Sequence, residues 1–156
     1  MKIKYPLPLK NITIKLINCG GMAACHNELI IHGNGEAIYN SGDGVKTMVI
    51  QKGKISQSQI FTLFKYAIEI GFFEMKFLYD FEEYRLDKKG MIQCDNNFVY
   101  DCSTCTVGIE IGNKKKYVIY GEGGEEAPER LRKFANMIDR AYKPEKWITL
   151  KDTSHS

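Results

Sequence analysis

Apolar and polar residues alternate near the start of the chain. Ile12, Ile14 and Leu16 point one way and Thr13 and Lys15 the other, the period-two pattern of a strand with one buried face. After a glycine-containing turn, Glu28 to Ile31 and Glu36 to Tyr39 flank His32-Gly33-Asn34-Gly35. Asn34-Gly35 predicts a hairpin, because both residue types tolerate the positive φ of a tight turn. A polar break, Asn40-Ser41-Gly42-Asp43-Gly44, precedes a further strand over Val45 to Gln51. These signals predict a four-stranded antiparallel meander.

The period then changes. Ser56 and Gln59 have capping-box spacing, and Ile60, Leu63, Phe64 and Ala67 recur at helical intervals until Gly71 supplies a stop, predicting a helix from Gln57 to Ile70. Phe72 and Phe73 are expected to continue its core contacts. Val107, Ile109 and Ile111 again alternate with polar or small residues, turn at Asn113-Lys114 and return over Tyr117 to Tyr120. Pro128 marks the first turn of a second helix, whose Leu131, Phe134, Ile138 and Tyr142 form one stripe ending near Pro144. The predicted fold class is therefore α+β: an antiparallel sheet built from an N-terminal meander and a later hairpin, packed by two amphipathic helices. Between the halves, Phe81 to Tyr100 reads as a charged surface insertion in which Tyr84 and Phe98 could bracket a small hairpin.

With 156 residues, ordinary composition and 44% hydrophobic residues, one domain over residues 1–150 is expected, followed by a polar tail over 151–156. Lys4, Pro6, Pro8 and Lys10 interrupt any signal-peptide core, and no segment approaches the roughly twenty apolar residues of a membrane span. The expectation is a soluble cytoplasmic protein, or an exported one if a signal peptide was trimmed. A formal net charge of +3 argues against nucleic acid as a partner, and a polar hairpin turn accounts for the basic run Lys114-Lys115-Lys116.

The order of landmarks resembles the bacterial family filed as domain of unknown function 6438. Gly20 to Cys25 stand where that family has its glycine- and cysteine-containing turn, followed by Gly33-Asn34-Gly35 and Tyr39. Ile55-Ser56, Phe72-Phe73, Asp101, Pro128, Leu131, Ile138-Asp139 and Trp147 then fall in order. The chain departs from the pattern at Gly21, which replaces a cysteine, at His26, which replaces a proline, and at Asp101-Cys102-Ser103, which replaces an Asp-X-Pro element; Tyr84 to Asn97 is expanded. The resemblance implies a fold and no catalytic role.

Five cysteines, an odd number, argue for reduced thiols over a disulfide framework. Cys102 and Cys105 have the spacing that lets two thiolates meet one zinc ion, with Cys94 as the next candidate and Cys19, Cys25 or His26 as other ways to complete a tetrahedral set; against this, residues three apart in a strand face opposite sides. The Gly121 to Glu126 loop carries too many glutamates to cradle phosphate. Asp80, Glu82, Glu83 and Asp87 would be the acids of a hydrolase-like enzyme, but no spacing brings a chosen pair together. The first expectation is a non-catalytic binding or protein-interaction module without cofactor, with a structural zinc site and a hydrolase as alternatives. Its partner, an unidentified protein or small ligand, is expected on the stretch from Phe81 to Asn97 and the first turn around Gly20 to His26, through Tyr84, Arg85, Lys88, Lys89 and His26, because mixed aromatic and charged loops suit recognition.

Overall fold

The computed structural model describes residues 1–19, 26–42, 47–79, 82–96, 104–121 and 127–154. The predicted meander is present as β1 (Ile12–Cys19), β2 (His26–His32), β3 (Glu36–Gly42) and β4 (Thr47–Lys54), each antiparallel to the next. The β2–β3 turn depends on its glycines. Gly35 has φ +99°, and a Cβ on Gly33 would fall 1.7 Å from the Leu9 carbonyl oxygen, so no other residue fits there without moving the backbone. Asn34 closes the turn by accepting the Glu36 N–H through Oδ1 at 3.0 Å.

Ser56 caps α1 (Gln57–Glu69) in the reciprocal arrangement its spacing predicts. Ile60, Leu63, Phe64 and Ala67 are its buried face, and Gly71, at φ +72°, ends the helical path. Phe72 and Phe73 follow in a short 3-10 turn and are buried. Phe72 meets Phe134 of α2 (Glu129–Arg140) edge-on, with ring centroids 5.6 Å apart. Both helices contribute to one apolar core with the inward faces of the strands, including Ile14, Leu16, Leu29, Ile31, Val107 and Ile109.

β5 (Leu78–Tyr79) follows the 3-10 turn; β6 (Glu82–Leu86) and β7 (Ile92–Asn96) form a separate two-stranded sheet. The later hairpin is β8 (Thr104–Ile111) and β9 (Lys114–Gly121). Its turn is Gly112-Asn113, one residue earlier than predicted, because Gly112 takes φ +60°. The main sheet has eight strands in the order β10-β4-β3-β2-β1-β8-β9-β5, so the β1–β8 pair joins the two halves of the chain.

Two elements depart from expectation. β5 runs parallel to β9, which makes an otherwise antiparallel sheet mixed. Lys151 to Ser154, expected as a polar tail, are the second half of β10 (Ile148–Ser154), which pairs antiparallel with β4 across a register shift at Leu150. Ladder hydrogen bonds use only backbone groups, so an edge strand does not require apolar side chains. Val45 and Phe98 lie outside the described residues.

Candidate functional site

The insertion between the halves is built around the β6–β7 hairpin, with Tyr84 opposite Cys94, Arg85 opposite Gln93 and Leu86 opposite Ile92. Asp87 organises its turn. Its Oδ1 accepts the N–H groups of Lys89 and Met91, each at 2.9 Å, and its Oδ2 accepts from Gln93 Nε2 at 3.1 Å. Gly90, at φ +79°, supplies the left-handed residue. Hydrogen bonds from Met91, Gln93 and Lys89 favour the ionised carboxylate and hold the Asp87 pKa below its ordinary value.

The side chains at this turn are the reverse of a core. Leu86 is 71%, Met91 61% and Ile92 75% exposed, and Lys88 and Lys89 stand exposed between them. Three large apolar side chains on a tightly hydrogen-bonded turn, with two ammonium groups beside them, form an amphipathic basic tip. Lone exposed apolar residues are ordinary on a protein surface; a cluster on one ordered turn is not.

Of the residues expected to bind a partner, Arg85, Lys88 and Lys89 lie together on this hairpin, and Tyr84 joins them by backbone register. His26 opens β2, opposite Cys19 of β1 and Gly42 of β3, in the other sheet. Leu86, Met91 and Ile92 were not singled out from the sequence. The available signal was a pair of apolar positions flanking Asp87-Lys88-Lys89-Gly90, and it was obscured because Leu86, Met91 and Ile92 are exposed, so no burial imposes alternation there.

The cysteines fall in different settings. Cys105 is on the inward face of β8, 2% exposed and opposite Tyr120 of β9, where it is part of the apolar core. Cys94 belongs to β7 in the smaller sheet, and Cys102 lies outside the described residues. Among the described residues, no three His, Cys, Asp or Glu side chains converge to hold a metal ion. Of the acids considered for acid-base chemistry, Asp87 is engaged by its turn, Glu82 and Glu83 are placed by backbone alone, and Asp80 lies outside the described residues.

A second polar group lies on the sheet face turned away from the helices. Tyr117 donates its hydroxyl to Glu110 Oε1 at 2.6 Å, and Lys15 and Lys115 approach the same carboxylate at 3.5 and 3.6 Å. The Tyr117 bond and the lysine charges hold the Glu110 pKa down, while desolvation and Glu110 push the Tyr117 phenol up to about 12. Across neutral pH the carboxylate stays ionised and the phenol protonated. The cluster is therefore suited to pinning strands together, since proton transfer near neutrality needs a group that titrates there. The other lysines of the basic run also have internal acceptors: Lys114 Nζ donates to the Lys2 carbonyl and Lys116 Nζ to that of Met75.

No helix among the described residues is long and apolar enough to cross a membrane. None of the curated proteins compared with the chain matches it. The family model described as Domain of unknown function (DUF6438) matches residues 10–142, a stretch that takes in the meander, both helices and the β8–β9 hairpin between them, and the chain belongs to that family.

Proposed function

We propose that this protein is a non-catalytic recognition domain whose binding element is the β6–β7 hairpin, and that its partner is a protein presenting an apolar groove with an acidic rim. The observation that supports this reading is the exposure of Leu86, Met91 and Ile92 on a turn already ordered by Asp87. A pre-ordered turn loses little conformational entropy on docking, so more of the contact energy appears as affinity. Apolar side chains at the centre supply most of that energy, while Lys88 and Lys89 favour an acidic rim and raise the encounter rate. The main sheet and its helices are the scaffold.

The double substitution L86S/I92S tests the proposal. Both side chains are exposed, so cooperative melting should be retained within about 0.5 kcal/mol. In quantitative affinity capture from the native cells, the proteins enriched by the wild type should fall about tenfold or more with the variant. Equal enrichment by both proteins would remove the hairpin from recognition.

A further inference from the structure

A cleft of about 540 Å³ lies where β4 and β10 meet the ends of the two helices, far larger than the space of a single water and within the range of small-ligand sites. Its base is Gly53 of β4 and Trp147. A Cβ on Gly53 would fall 2.3 Å from the indole carbons, so glycine is what allows the Trp147 ring to lie directly on the strand. Tyr142 holds the indole from another side, edge-on, with ring centroids 4.9 Å apart, and is itself stacked on Tyr39 at 4.0 Å. One wall is apolar: Ile148 and Leu150 line the cleft and are 70% and 57% exposed.

The charged part of the lining is mostly cationic. Lys52, Lys54, Lys143 and Lys146 all border the cleft, against Glu36 as the carboxylate among its described lining residues. On the opposite half of the sheet, Lys15 and Lys115 meet Glu110, and Lys114 and Lys116 meet backbone carbonyls. Among the described residues none of the four cleft lysines is in an ion pair. Four ammonium groups around one concavity, against the single described carboxylate of Glu36, leave an excess of positive charge that raises the local concentration of anions, and the adjacent indole and aliphatic side chains offer surface to an apolar body.

We propose that this cleft binds a small organic anion, with its carboxylate or phosphate among the lysines and its apolar body on Trp147, Ile148 and Leu150. The site is separate from the hairpin and does not depend on the function proposed for it. Trp147 is the single tryptophan of the chain, so its emission reads the cleft directly. The probe is decanoate below its micellar range, compared with decanol, inorganic phosphate and phosphatidylglycerol vesicles. Decanoate should shift Trp147 emission saturably, decanol and phosphate at least about tenfold more weakly, and K52Q/K146Q should weaken decanoate about tenfold while melting like the wild type. A non-saturating response to decanoate, decanol or phosphate binding as tightly as decanoate, a response to vesicles only, or unchanged affinity in K52Q/K146Q would each overturn the proposal.

Discussion

Tyr117 shows how single residues hold the sheet. It faces Gly108 across the β8–β9 ladder, and a Cβ on Gly108 would fall 2.3 Å from the ring; the missing side chain is what lets the ring lie across the strand to reach Glu110. Tyr117→Phe keeps the ring and removes the hydroxyl. The expected cost is about 1 kcal/mol in urea unfolding, with the Glu110 carboxyl moving up toward its ordinary value in an NMR titration. The signs follow from the two shifts. Glu110 is held below 4.5, so its contribution is present above that pH and lost as pH falls through its folded value. Tyr117 is raised to about 12, so its contribution is present below 10 and lost as pH rises through about 12. An unchanged Glu110 titration in the Phe variant would show that the hydroxyl has no hold on the carboxylate. The pair was not legible in the sequence. Alternation identified both strands, but a turn set at Asn113-Lys114 gives a different register from the observed Gly112-Asn113 turn, and register decides which residues meet.

Among the elements, the capping box and the helical stripe fixed α1 at nearly its observed bounds, because local hydrogen bonds and periodicity point to the same segment. The β6–β7 hairpin was harder to read. Its pairing is local, yet Leu86, Met91 and Ile92 sit exposed around the turn, where no burial imposes a one-sided pattern. Asp87 makes its order pH-dependent. Its carboxyl is held below 3.8 by hydrogen bonds it accepts only in the formed turn, so the turn is favoured above that pH and loses this support as pH falls through the folded value. The amide signals of Lys89 and Met91 should therefore keep their hydrogen-bonded shifts at neutral pH and lose them on acidification below 3.8, while Asp87→Ala should remove those shifts at every pH. Retention of the shifts in the alanine variant would mean that the backbone alone fixes the turn.

For the whole molecule, the α+β class was legible because two periodicities, two and 3.6, alternate along the chain. Strand order was not. The β1–β8 pairing connects residues nearly a hundred positions apart, and nothing in either strand names its neighbour. β5 is only two residues long and β10 is largely polar, so neither carries a strand pattern; both are placed by the edges that the longer strands leave open. The resulting scaffold packs its core between the main sheet and the helices and leaves Leu86, Met91 and Ile92 exposed around the turn of the smaller sheet. The most direct test of recognition by that hairpin is a photo-crosslinking amino acid placed at Met91 and, as a control, at Ile68 of α1, which is 42% exposed. Irradiation in the native cells should give a discrete adduct from position 91, none from position 68, and loss of the adduct when K88E/K89E is added. Equal yields from the two positions, or an adduct from position 91 that persists in K88E/K89E, would contradict the account.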